Sequence, residues 1–200
     1  MTPGDVEVCK TFPKPDMVGS TVAFEHACRN GYVGACVYAG RRYKQGTGVE
    51  ADTVRAIELL ELGCPKGWYA CAELGAMYEF GEGVAKDLTR AFLTYDKACQ
   101  QNQKTECHYA ARVAGELGRG EDRRTRLEQG CEKNSRQSCD ELTVELEKEG
   151  NTEAAKAIYD DVCQRMHYKP YCDAYVRLGG TLEPGFKPFP RSKQTAVDDF

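Results

Sequence analysis

The sequence has no run approaching the roughly 18 consecutive apolar residues that a membrane-spanning helix needs, which argues against membrane insertion. It has three histidines, His26, His108 and His167, and none falls in H-x-H, H-E-x-x-H or a Cys-x-x-His pair. No C-x-x-C occurs either, so the tight ligand pairs of zinc sites and the C-x-x-C-H of covalent haem are missing, and no metal or cofactor is expected. None of the serines Ser20, Ser135, Ser138 and Ser192 opens an S-x-x-K motif, and S-D-N and K-T-G are not found in order; the usual serine β-lactamase constellation is therefore excluded. Neither sign of charge dominates: 27 Lys and Arg stand against 31 Asp and Glu, for a net charge of −4. That balance gives no electrostatic footprint for nucleic acid. The opening MTPGDVEVCKTFPKP has neither a basic segment nor an apolar core, so an exported form of the chain is expected to be already processed.

What the chain does have is cysteine, eleven in 200 residues, far above ordinary usage. Ten of them form five close pairs: Cys28 and Cys36, Cys64 and Cys71, Cys99 and Cys107, Cys131 and Cys139, Cys163 and Cys172. First members recur every 32 to 36 residues, the period of a helical solenoid. At an offset of 35 the chain repeats itself residue for residue at Cys36/Cys71, Gly40/Gly75, Tyr43/Tyr78, Gly46/Gly81, Gly48/Gly83, Asp52/Asp87 and Ala56/Ala91. Within a unit, Cys71, Leu74, Gly75 and Tyr78 follow helical spacing, as do Ala91, Tyr95, Ala98 and Cys99 after the glycine turn. Each unit reads as a helical hairpin, with Asp52 or Asp87 placed to cap the second helix. The expected fold is all-α: an α/α superhelical solenoid of disulfide-stapled hairpins. Residues 1–15 read as an arm, 16–180 as the repeat domain, opening on half a unit whose second helix begins near Asp16, and 181–200 as an extended proline-bearing tail.

Eight residues along a straight helix span about 12 Å, whereas disulfide-linked Cα atoms lie roughly 5.5 Å apart. Each cysteine pair must therefore straddle a bend, and the intervening segments, rich in Gly, Asn, Pro or polar residues, suit one. The expected bonds are Cys28–Cys36, Cys64–Cys71, Cys99–Cys107, Cys131–Cys139 and Cys163–Cys172, each joining the second helix of one hairpin to the first helix of the next. On chain entropy a loop this short contributes about 2.5 kcal/mol. Cys9 has no partner at repeat spacing. The competing reading is a reduced chain whose cysteines are buried as small hydrophobes.

The run Cys71-x-x-Leu74-Gly75-x-x-Tyr78-x-x-Gly81-x-Gly83-Val84-x-x-Asp87-x-x-x-Ala91 resembles the Sel-1-like repeat, a relative of the tetratricopeptide repeat. With Ala98-Cys99 closing the second helix and Cys107 eight residues on, it is similar to the cysteine-rich Hcp-type branch. The resemblance is strong over 35–107; from 108 to 180 Gly-x-Gly-Val is missing and the cysteine rhythm, Leu142, Ala155 and Tyr159 remain. It implies a right-handed α/α superhelix in secreted or periplasmic proteins that bind protein partners. It also implies two alternatives: a penicillin-binding or weakly β-lactamase-like protein, and an assembly factor of the mitochondrial intermembrane space, part of a larger complex.

Helical solenoids bind proteins or extended peptides on a face lined by their first helices. Five residues after the second cysteine of units one, three and five stand Arg41, Arg112 and Arg177, and two residues after it in units one and three stand Tyr38 and Tyr109. A spaced basic row with aromatic neighbours is the candidate groove, able to hold carboxylates by bidentate bonds. Trp68, between two stapled cysteines, reads as packing at the edge between repeats, and Phe186, Pro188, Phe189 and Pro190 read as a cap on the last hairpin or as a ligand for another protein. Paired carboxylates such as Glu58/Glu61 and Glu145/Glu149 read as solvated helix faces.

Overall fold

The computed structural model describes residues 17–101 and 104–188, without the side chains at 17–19 and 68. These residues form ten helices: α1 (Met17–Arg29), α2 (Val33–Gln45), α3 (Thr53–Gly63), α4 (Trp68–Phe80), α5 (Leu88–Gln100), α6 (Lys104–Glu116), α7 (Gly120–Glu132), α8 (Arg136–Lys148), α9 (Thr152–Met166) and α10 (Lys169–Arg177). Each packs on its neighbour in the chain. The hairpins are α2/α3, α4/α5, α6/α7 and α8/α9; α1 is the second helix of an opening half unit and α10 the first helix of a closing one. First helices of successive units lie side by side, α2 on α4 and α6 on α8, and so do the second helices α1 and α3.

Five disulfides join the five cysteine pairs, with Cα atoms 4.5–4.9 Å apart. Each spans the bend from a second helix to the next first helix, as the spacing requires. The bends turn through Gly31 (φ 93°) and, three residues after Cys131, through Asn134 (φ 65°), a residue type that tolerates the left-handed region better than most. Inside the first two hairpins the helix ends are set by residues the repeat shares. Gly46 and Gly81 close α2 and α4 in left-handed geometry (φ 69° and 70°). Asp52 and Asp87 then accept the amide hydrogens of Arg55 and Arg90 at 2.9 Å, capping α3 and α5. In the later hairpins the connection shrinks to Leu117–Arg119 and Glu149–Asn151, where Gly118 and Gly150 keep the left-handed residue.

Small residues bring the helices of a hairpin together. A Cβ added at Gly40 would lie 2.9 Å from Leu60 Cγ, and one at Gly75 only 2.7 Å from the Tyr95 ring. The buried side chains form three clusters. One joins α1 to α3 through Cys28, Cys36, Ala39 and Leu59; a second runs from α2 to α6 through Val37, Leu60, Leu74, Met77, Tyr78, Phe92 and Val113; a third runs from α6 to α10 through Leu127, Leu142, Leu146, Val162 and Tyr171. Each fully buried large side chain contributes about 1.5–3 kcal/mol relative to exposure. The third cluster also takes Leu182 and Phe186 of the tail, and the Phe186 ring stacks on His167 with centroids 4.9 Å apart. This part of the tail covers the end of the array, in keeping with the capping alternative. Cys9, Phe189, Pro190 and the Trp68 side chain lie outside the described residues.

Candidate functional site

The arginine row is held by carboxylates of neighbouring first helices. Arg41 of α2 donates to Glu73 of α4 at 2.8 Å, Arg112 of α6 pairs with Glu79 of α4, and Arg177 of α10 donates to Glu147 of α8 at 2.7 Å. The three arginines stand on alternate first helices, with Ala76 and Val144 at the equivalent positions between them, so they form a ladder of inter-unit ties rather than a continuous basic strip. Of the two tyrosines, Tyr38 is exposed and stacks on Phe24 at 5.3 Å. Tyr109 is half-buried, tilted against Tyr95 at 5.4 Å with the Arg112 guanidinium over its ring.

Two of these ties belong to a recurring polar cluster. Glu79 accepts the hydroxyl proton of Tyr95 at 3.0 Å and meets Arg112; Glu147 accepts the hydroxyl proton of Tyr159 at 2.8 Å and meets Arg177. Glutamate, tyrosine and arginine occupy the same repeat positions in both. Burial, reinforced by the adjacent Glu79 charge, pushes the Tyr95 hydroxyl well above its ordinary range. Burial and the hydrogen bond to Glu147 act the same way on Tyr159. Both phenols stay protonated, and the hydrogen bond that Arg112 donates to Glu79 holds the guanidinium cationic. Near the start of the array a related cluster is built differently. Buried Glu25 of α1 accepts from Tyr43 at 2.7 Å, from Arg29 at 3.0 Å and from Arg55. Burial acts to raise the Glu25 pKa, but these hydrogen bonds outweigh it and hold the carboxyl below its usual value. Such arrangements seat carboxyl groups beneath arginine; they tie helices together and present no nucleophile with a base beside it.

Other charged residues behave as surface pairs. Glu145 and Glu141 both meet Arg123, Glu149 meets Arg124, and Glu58 meets Arg55. His26 lies on the surface beside Asn30, and His108 is half-buried 3.5 Å from Glu141. Burial lowers the His108 pKa, opposed by Glu141 and assisted by Arg112 and Arg123. Among the described residues no cluster of His, Cys, Asp and Glu has metal-binding geometry, and no helix is long and apolar enough to cross a membrane.

The solvent face of the first helices changes character along the array. On α2 and α4 it carries Tyr38, Tyr69 and Phe80, exposed by 57%, 59% and 63%. On α8 the exposed residues are Gln137, Asp140, Val144 and Lys148. Tyr69 and Phe80 were not singled out by the sequence reading. Their signal was available: with Glu73 and Ala76 they fall on the stripe of α4 opposite Cys71, Leu74, Gly75 and Tyr78.

Ten helices stacked as hairpins with like helices side by side define a helical-repeat solenoid. The Sel1 repeat family matches at residues 33–67 and 68–103, so the chain carries two Sel1 repeats, each beginning on a first helix. Among solved structures, c5321, a protective antigen present in uropathogenic Escherichia coli strains displaying an SLR fold, is similar with a TM-score of 0.56 at 16% identity. The match covers 80% of this chain and 37% of c5321, so the chain spans little more than a third of that protein. A Sel1 repeat protein from Oxalobacter formigenes is similar with a TM-score of 0.50 at 27% identity, over 60% of this chain and 95% of its own length. No curated protein sequence matches the chain.

Proposed function

We propose that this chain is a non-enzymatic scaffold of the cysteine-rich Hcp-type branch that binds another protein on the solvent face of its first helices, in a secreted or periplasmic setting. The observation that carries this reading is the exposed aromatic face of α2 and α4, held rigid by the Cys28–Cys36 and Cys64–Cys71 staples below it. Rings fixed on a scaffold bury large apolar area with little loss of side-chain freedom, the property that makes aromatic residues anchors at interfaces. Arg41 and Arg112 border this surface, with Arg177 at the equivalent position of α10 at the far end of the array, and a guanidinium tied to carboxylates on one side keeps further donors for a partner's acceptors.

A photo-crosslinking side chain at Tyr38, compared with one at Val54 on α3, tests the reading in the native compartment. A protein adduct from position 38 and none from 54 is expected; equal adducts, or none from 38, overturns it. Intact mass after alkylation without reductant tests the compartment. One label means five disulfides and a single free thiol, whereas eleven labels overturns the oxidising location. Turnover of a chromogenic β-lactam overturns the non-enzymatic reading.

A further inference from the structure

We infer that the Cys99–Cys107 staple is a redox-active site, the bond of the five that a small thiol opens first, through a mixed disulfide on Cys99. The staples share one polarity. In each, the second cysteine is the fourth residue of a first helix, while the first cysteine lies at the end of the helix before. Helix dipoles therefore favour negative charge on the second sulfur and oppose it on the first. An attacking thiolate bonds to the first sulfur and expels the second as thiolate, the better leaving group. A second thiolate then takes up the first as a small disulfide, and the freed cysteine gains a proton; two thiols are oxidised and the staple is reduced. All five bonds share this bias, so it does not choose among them. Burial does not choose either, since every staple cysteine is at most 5% exposed and exchange at any of them follows opening of its corner.

The neighbours of the sulfurs do choose. Lys133, just past the end of α7, donates to the Cys99 carbonyl at 2.7 Å and sets its ammonium 3.8 Å from Cys107 Sγ and 4.0 Å from Cys99 Sγ. Gln129 of α7 places Oε1 3.5 Å from Cys99 Sγ, and the same oxygen accepts from Arg126 at 3.1 Å. In the oxidised staple Cys99 has no proton to give that oxygen. Once the bond is reduced, the Cys99 thiol donates to Gln129 Oε1 and the Cys107 thiolate lies against the Lys133 ammonium, so both products of reduction meet a partner already in place. The other staples lack this set. Among the described residues, the polar contacts of their sulfurs are backbone carbonyls, those of Leu59, Tyr32 and Cys64, at 3.0–3.7 Å, and such oxygens oppose a thiolate. Lys66 stands at the same place in the repeat as Lys133, two residues after a first cysteine, yet is hydrogen-bonded to neither sulfur of the Cys28–Cys36 staple in the preceding unit. The corner held by Cys99–Cys107 joins α5 to α6, so its reduction unties the second Sel1 repeat from the units that follow.

The test is equilibration of the oxidised full chain with dithiothreitol buffers of graded reducing strength at neutral pH, followed by acid quenching, alkylation and peptide mapping of the labels. Cys99 and Cys107 are expected to be labelled at a weaker reducing strength than the other pairs. Lys133→Met is expected to shift the equilibrium of this pair toward the disulfide by at least about threefold, while Lys66→Met leaves the Cys28–Cys36 pair unchanged. A merely structural role for Lys133 has the opposite sign, since loss of its tie to the Cys99 carbonyl loosens the corner and makes the bond easier to reduce. That outcome overturns the inference, as does reduction of another pair first, of all five together, or of Cys99–Cys107 first but indifferent to Lys133→Met. Circular dichroism controls for folding; if Lys133→Met unfolds the chain, Lys133→Gln, which keeps a donor for the carbonyl and removes the charge, gives the same comparison with the same expected direction.

Discussion

Residues 33–103 and 104–172 build the same stapled hairpins from different materials. In the first region each hairpin turn runs seven residues, from Gly46 to Asp52 and from Gly81 to Asp87. The second region manages with three. The longer turn is therefore not needed to reverse the chain, and its second glycine shows its other use. A Cβ at Gly83 would lie 2.6 Å from Thr53 Oγ1, at the start of the preceding unit's second helix. The glycine turn is an inter-unit contact as well as a connection. Where it is trimmed, charge takes over part of its work: Arg123 and Arg124 of α7 reach Glu141, Glu145 and Glu149 around α8. Helix α7 buries only Leu127, Gly130 and Cys131. Ion pairs tie the units of both regions, but on α7, with so little apolar contact, they carry a larger share of the attachment.

The largest expected effect comes from the two polar clusters, which look alike but differ in depth. Glu79 has a side chain 2% exposed, against 31% for Glu147. Arg112→Ala strands a buried carboxylate and should cost about 3–5 kcal/mol. Arg177→Ala leaves Glu147 in reach of water and should cost about 1 kcal/mol or less. Urea denaturation of the two variants checks this, and equal losses would erase the distinction between the clusters.

Glycine substitutions come next. Gly83→Ala meets both a left-handed backbone and Thr53, and should cost about 1–3 kcal/mol. Gly118→Ala, in the short turn, meets only the backbone preference, since nothing lies within 4 Å of its Cβ; about 1 kcal/mol is expected. Calorimetry of the pair shows whether the long turn has the packing role given to it.

Salt separates the regions more gently. At about 1 M salt the screening length falls to about 3 Å, and amide exchange in α7 and α8 should speed up relative to α4 and α5, by less than about 1 kcal/mol for each surface pair lost. Uniform change along the chain would contradict the division.

The smallest effect concerns Glu106, buried in α6 with Oε2 unpartnered where other units place Ala35, Ala70 or Ser138. Burial raises its pKa. Its protonated form is thus favoured in the folded state, giving a contribution that is complete below the unfolded value of 4.5 and lost as pH rises through the raised folded value. Glu106→Gln should raise the urea midpoint at neutral pH and remove this component of the pH dependence, read as a series of denaturation curves from pH 4 to 7.

Helices, staples and caps were legible because they depend on residues close in sequence: a cysteine pair seven to nine residues apart, a glycine before an aspartate, small residues on one helix side. The polar clusters were not read, because their members are 12 to 33 residues apart and no single unit contains a whole cluster. The signal existed across units. Four residues before the first cysteine stand Tyr95 and Tyr159, in register with Glu79/Arg112 and Glu147/Arg177; where that position is Leu60 or Leu127, the matching residues are Lys44/Ala76 and Gly115/Val144. Tyrosine comes with glutamate and arginine, leucine without them. Read unit by unit, the arginines formed a ligand row; read across units, two of the three are partners of the tyrosine position next door.

The staples have a kinetic meaning beyond their strength. Every described bond joins cysteines that are nearest neighbours among the ten, and none of the loops encloses or crosses another. Closing one therefore requires no distant part of the chain to be in place. A chain emerging from its amino end can be oxidised in order of appearance, each bond sealing a corner before the next pair arrives, so that correct pairing is a matter of sequence of events rather than of search.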